Sequence, residues 1–114
     1  MGYSVVLLKK AEEFLDILEP KLAAKAFREI ELLREIGPML SFPHTRKIEG
    51  TEKIYELRVK QGSNICRLFY FSKGKMIFII TSGYIKKTTK TDKEEIKRAI
   101  RLMNEYWEEN DEYR

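Results

Sequence analysis

The chain has 114 residues, with 22 Lys and Arg against 18 Asp and Glu for a net charge of +4; 43% of its residues are hydrophobic and 35% charged. That length and apolar fraction suit one folded domain spanning 1–114 and exclude intrinsic disorder, and the longest apolar run, Met76–Ile80, falls far short of the roughly 18 residues of a membrane helix. A single cysteine, Cys66, excludes an internal disulfide framework and a Cys-rich zinc site, and the N-terminal apolar stretch is too short for a signal peptide, so a cytoplasmic protein without membrane association is expected.

Tyr3–Leu8 is β-rich and reads as a first strand. From Lys9 the period becomes helical: Ala11, Phe14, Leu15 and Leu18 form an apolar stripe, with Glu12, Glu13 and Asp16 facing water. Pro20 ends this segment and suits the first turn of the next, because its fixed φ is already helical. Leu22, Ala26, Phe27, Ile30 and Leu33 make the second stripe, and Gly37-Pro38 is the stop signal. This pattern predicts two antiparallel helices, with the acidic residues of 12–35 on their exposed faces.

After a loop at 37–45 and a short strand near Arg46–Glu49, the period drops to two. Lys53–Lys60 alternates Tyr55, Leu57 and Val59 against Glu56, Arg58 and Lys60. Gln61-Gly62 is the hairpin candidate, followed by a strand over Asn64–Phe71 and a turn at Ser72–Lys75. Met76–Thr81 is apolar on both faces, as a central strand should be. Ser82–Lys90 is polar and basic. Thr91-Asp92 with Glu94-Glu95 reads as a capped helix start, continued by Ile96, Ala99, Ile100, Met103 and Trp107, with fraying expected from Glu108. The prediction is an α+β fold: an N-terminal strand and helical hairpin, an antiparallel meander and a C-terminal helix.

The charge is distributed unevenly. Residues 1–45 carry −1, residues 46–104 carry fifteen basic and six acidic side chains for +9, and residues 105–114 carry −4. A basic middle section favours polyanions through phosphate neutralisation and counterion release. Strand parity then groups the charges. With Gln61-Gly62 as the turn, Glu56 faces Arg67 and Arg58 lies diagonal to it; in the alternative register Arg58 faces Arg67. In both, Glu56, Arg58 and Arg67 share one face. Two readings follow from that face. Glu56 can neutralise a buried Arg67, or two arginines with one acid can leave surplus charge for a phosphate.

A second concentration, Gly83 to Thr91, holds Tyr84, Lys86, Lys87 and Lys90 with several hydroxyls. These can contact phosphates, and Tyr84 can stack on a base or donate a proton, or the stretch can be a solvated loop. His44 is the only histidine and leaves little scope for a metal site. Cys66 falls on the face opposite Arg67, as a small core residue would. No P-loop, GxSxG or GxGxxG motif is present.

Taken in order, Ile54-Tyr55-Glu56-Leu57-Arg58-Val59, Arg67-Leu68-Phe69-Tyr70, Gly83-Tyr84-Ile85-Lys86-Lys87-Thr88 and Lys90-Thr91, ahead of an amphipathic helix, resemble the HigB-like, phage-derived branch of the RelE toxin superfamily. Arg46-Lys47-Ile48-Glu49-Gly50 and the approach from Leu33 to Gly37-Pro38 fit the same pattern, so the resemblance runs from Val5 to Tyr106. It implies a type II toxin, neutralised by a cognate antitoxin of helix-turn-helix type, that cleaves mRNA in the ribosomal decoding site with no metal or other cofactor. The implied chemistry is attack of a ribose 2′-OH on the adjacent phosphate, which needs a proton acceptor, a proton donor and positive charge. By resemblance, Arg67 is the phosphate-stabilising arginine and Arg58 a second catalytic basic position on the same surface; Lys86, Lys87 and Lys90 form the branch's basic segment, Lys87 as a catalytic candidate and Lys86 and Lys90 as RNA contacts. Tyr84 is an acid or stacking group, and Lys47 and Arg46 contact RNA. Some relatives carry histidines near 83–91, and this chain has none there; Glu56 is then either the base or a holder of the arginines. A gyrase inhibitor of the ParE kind and a non-catalytic RNA-binding module are the alternatives on the same fold.

Overall fold

The computed structural model describes residues 2–51, 53–87 and 92–110. β1 (Ser4–Leu7) leads into α1 (Lys9–Asp16) and α2 (Pro20–Ile36). β2 (Thr45–Lys47), β3 (Tyr55–Gln61), β4 (Asn64–Lys73) and β5 (Ile77–Ile85) follow, and α3 (Lys93–Glu109) ends the described chain. The five strands form one sheet in the order β1-β5-β4-β3-β2. β2 to β5 are the predicted antiparallel meander, while β1 adds to β5 in parallel, Val5 beside Phe78. β5 is thus an interior strand, which accounts for its apolar character on both faces.

Local chemistry fixes the helix starts. Pro20 occupies the first turn of α2, where the Glu19 carboxylate accepts from the Lys21 and Leu22 amides, each at 3.1 Å. Asp92 caps α3 by accepting from the Glu94 amide at 2.9 Å. α3 continues through Glu108 and Glu109, where fraying was expected; residues 111–114 lie outside the described residues. No helix among the described residues is long and apolar enough to cross a membrane.

The sheet has a core on each face. Leu57, Val59, Cys66, Leu68, Tyr70 and Ile80 pack under α1 and α2 with Ala11, Leu15, Leu22 and Leu33. Phe69, Phe71 and Ile79 pack under α3 with Ala99, Met103 and Trp107. Gly83 permits the first of these contacts: a Cβ there would lie 2.5 Å from Phe14 of α1 and 2.7 Å from Leu68. Phe27, placed on the buried stripe by its spacing, is half exposed. Glu29, expected on the exposed face, is buried instead, at a position three residues after Ala26 and four before Leu33. On the α3 face of the sheet, beside Phe69, lie two buried charges, Glu56 and Arg67.

Candidate functional site

The hairpin register decides how the charges meet. Gln61 pairs with Asn64, so the turn is Gly62-Ser63, with Gly62 at φ +61°, and not Gln61-Gly62. That one-residue displacement sets Arg58 directly opposite Arg67 and Glu56 opposite Phe69. The three charged side chains still share one face.

Glu56 joins two arginines. It is 1% exposed, with Oε2 lying 3.1 Å from Arg46 Nη2 and Oε1 lying 3.7 Å from Arg67 Nε. The second contact is an ion pair longer than a hydrogen bond, and neither of its atoms makes a hydrogen bond among the described residues. Arg67 is itself buried, and its Nη1 donates to the Cys66 carbonyl at 3.2 Å. Burial lowers the Arg67 pKa, Glu56 opposes that shift and the facing Arg58 adds to it. A guanidinium keeps its charge regardless, so the strain is electrostatic: Arg46 and Arg67 share one carboxylate while Arg58 stands opposite Arg67. An incoming phosphate would complement the surplus.

A β-bulge brings the second strand's residues to this face. Between β4 and β5 the register shifts at Phe69/Tyr70, since Phe69 pairs with Ser82 but Tyr70 with Ile80, leaving Thr81 extra. The shift inverts side-chain parity beyond Thr81, so Tyr84 lies opposite Arg67, and Lys86, whose amide donates to the Ile65 carbonyl, follows on the same side. Tyr84 is buried and stacks on Phe69, with ring centroids 5.6 Å apart and planes 15° from parallel. That face of its ring is therefore closed to a base. Lys86 Nζ is enclosed and makes no hydrogen bond among the described residues. Desolvation first, and then the guanidinium groups of Arg67, Arg46 and Arg58, hold its pKa below the usual lysine range against the pull of Glu56.

The other expected residues divide. Arg46, opposite Glu56 on β2, belongs to the cluster. Lys47, opposite Tyr55, alternates to the other face of the sheet. Lys87 is exposed just past the end of β5, and Lys90 lies outside the described residues. Cys66 is fully buried in the core under α1 and α2, and burial pushes its thiol up to about 12, as an inert core residue requires. Among the described residues no three His, Cys, Asp or Glu side chains come together as a metal site.

Two features beside the cluster were not foreseen. His44 Nδ1 lies 3.0 Å from Oε1 of the buried Glu29, tying the loop before β2 to α2. Phe42, 66% exposed in that loop, carries the Arg58 guanidinium 4.9 Å from its ring centroid. Glu29 had a readable signal, an acid on an otherwise apolar stripe; Phe42 had none.

Comparison with known proteins follows the same lines. Residues 13–104 match the profile of the family described as phage derived protein Gp49-like. An arginine-to-alanine double mutant of the E. coli toxin RelE in the free state has a similar structure, with a TM-score of 0.65 and 18% identity over 89% of this chain and 97% of that one. The intact E. coli RelBE toxin–antitoxin complex aligns with a TM-score of 0.59 and 15% identity, covering 75% of this chain and 99% of the other. The archaeal RelE–RelB complex from Pyrococcus horikoshii OT3 gives 0.56 and 21% identity, covering 75% and 96%. A comparison with curated protein sequences found no match. The α+β arrangement is thus the RelE fold.

Proposed function

The chain belongs to the Gp49-like family of phage-derived proteins, and from that membership and the geometry of its charged face we propose that it is the toxin of a toxin–antitoxin pair, a ribosome-dependent endoribonuclease. One observation carries the reading: Arg58 faces Arg67 across β3 and β4, and Glu56, the carboxylate paired with Arg67, is already engaged by Arg46. Surplus guanidinium charge at one spot suits a phosphate that gains negative charge during reaction.

In this mechanism the ribose 2′-oxygen forms a bond to the adjacent phosphorus as the bond from phosphorus to the 5′-oxygen breaks. The 2′-proton leaves to a base, a proton reaches the departing 5′-oxygen, and a 2′,3′-cyclic phosphate remains. Arg67 and Arg58 hold the phosphate and its developing charge. Glu56 is committed to two ion pairs and acts as their holder rather than as the base. Lys86, with its lowered pKa, is the better proton carrier. Tyr84 backs Arg67 from across the strand pair, and Arg46, Lys87 and Lys90 contact the flanking backbone, while Lys47, on the other face of the sheet, lies apart from this site. No metal or other cofactor takes part. The partners are mRNA in the ribosomal decoding site and a cognate antitoxin of helix-turn-helix type, and the site of action is the cytoplasm. The antitoxin assignment draws support from the RelE–RelB and RelBE complexes of the same fold.

The test is pulsed expression in bacteria with mapping of mRNA ends. Translated messages should acquire new ends, and Arg67→Ala should reduce them about 10²–10³-fold, the scale of losing one charge-stabilising group, while the variant stays folded. Unchanged ends in the presence of folded wild-type protein would refute the enzymatic reading.

A further inference from the structure

Phe42 is the most exposed aromatic beside the charged cluster, and it is held firmly. The segment Ser41–Thr45 is closed by the His44 and Thr45 amides, which donate to the Ser41 carbonyl at 2.9 and 3.3 Å. The His44 carbonyl accepts from the Arg58 amide at 2.8 Å, so the loop is joined to β3 beside β2. His44 Nδ1 lies 3.0 Å from the buried Glu29 carboxylate, which fixes the loop to α2 as well. A large ring is thus presented to water from a loop bonded to both β3 and α2, with the Arg58 guanidinium on it.

Its surroundings indicate what it meets. Arg58 stands over the ring at 4.9 Å, and Arg58 is the residue opposite Arg67. The adjoining cleft of about 640 Å³ is lined by Lys25, Lys60, Arg58 and Arg67, and its one acid, Glu29, is paired with His44. A ring under one guanidinium, beside a cleft with four cations and a compensated carboxylate, complements a polyanion that also has flat apolar faces. Single-stranded RNA has both properties: bases stack on aromatic and guanidinium planes while phosphates find the cations.

We propose that Phe42 is the stacking platform for an RNA base next to the phosphate held by Arg58 and Arg67, so that Arg58, the Phe42 ring and the base form one stack and set which nucleotide the phosphate follows. This rests on the endoribonuclease reading for the identity of the polyanion, and it assigns to the loop at 41–45 a role in choosing the cut site.

The test uses the full chain and a short single-stranded RNA carrying a fluorescent adenine analogue, alongside mRNA end mapping in cells. Phe42→Ala and Phe42→Leu should weaken RNA binding about fivefold to hundredfold, the range for losing one base–aromatic stack. Phe42→Trp should restore it, and the salt dependence should not change because no charge is lost. The cut positions should shift or broaden in the Leu variant. If Phe42→Ala fails to fold, the Leu and Trp variants decide alone. Wild-type binding by Phe42→Leu with unchanged cut sites overturns the proposal and leaves the nuclease reading standing. Wild-type protein that cuts no mRNA but needs Phe42 to bind RNA sustains the stacking and removes the enzyme. Protein that neither binds nor cuts RNA removes both, and a Phe42→Leu variant that loses only a protein partner makes the ring a protein interface instead.

Discussion

Lys86 combines an enclosed ammonium, no hydrogen-bond partner among the described residues and three arginines whose charge disfavours its protonation. Because its pKa in the folded protein lies below the ordinary value, the folded state holds the proton less tightly than the unfolded chain. The resulting cost to stability is present in full below the folded pKa and disappears as pH rises through the window up to about 10.5. Lys86→Met should therefore raise the melting temperature at neutral pH and flatten its rise toward alkaline pH. If Lys86 carries the proton, the same variant should cut RNA about 10²–10⁴-fold more slowly, and wild-type cleavage should increase with pH as Lys86 loses its proton. A variant that gains stability with undiminished cleavage would leave Lys86 outside the chemistry. At this scale the sequence was legible for residues whose environment follows from strand alternation: Arg67 beside Glu56, and Cys66 facing the other way. The pairing of Glu29 with His44 was not legible, because the two lie 15 residues apart and meet only through the packing of a loop on α2.

The element that organises the site is β5. Alternation alone would send Tyr84 and Lys86 to the face occupied by Leu68, and the extra residue at Thr81 returns them to the side of Arg67. Thr81 is fully buried, and its hydroxyl reaches the Phe69 carbonyl at 3.4 Å and the Ser82 hydroxyl at 3.2 Å, so the bulge has its own polar partners. Nothing in a period-two pattern marks such an insertion, which is why the stretch from Ser82 read as a loop, although β5 runs to Ile85. The hairpin shows the same limit on a smaller scale, because Gln61-Gly62 and Gly62-Ser63 are both acceptable turns and only the register separates them. β5 is also where α1 approaches most closely. Gly83→Ala should destabilise the protein by about 1–3 kcal/mol through overpacking against Phe14 and Leu68, measurable by denaturant unfolding. A neutral result would mean that α1 can move away from the sheet at little cost.

Across the whole molecule, the net charge of +4 resolves into a cationic sheet end set against a near-neutral helical layer, and this division was readable from the sequence. The fold was also readable: an amphipathic helix pair, a meander and a terminal helix leave few arrangements, and only the parallel addition of β1 to β5 had no local signal. If the cationic face binds RNA backbone, affinity should fall steeply with salt, and replacing Arg58 or Arg67 by Gln should each reduce the slope of log K against log salt by about 0.7, the value for one phosphate contact on a single strand. The central claim, that Arg58 and Arg67 hold a phosphate under attack by the neighbouring 2′-OH, is tested most directly with purified protein and ribosomes on an mRNA carrying one 2′-deoxynucleotide at the cut position. The all-ribose message should be cut to a 2′,3′-cyclic phosphate, and the single deoxy substitution should abolish the cut. Equal cutting of both messages, or none of the all-ribose one, would contradict the claim.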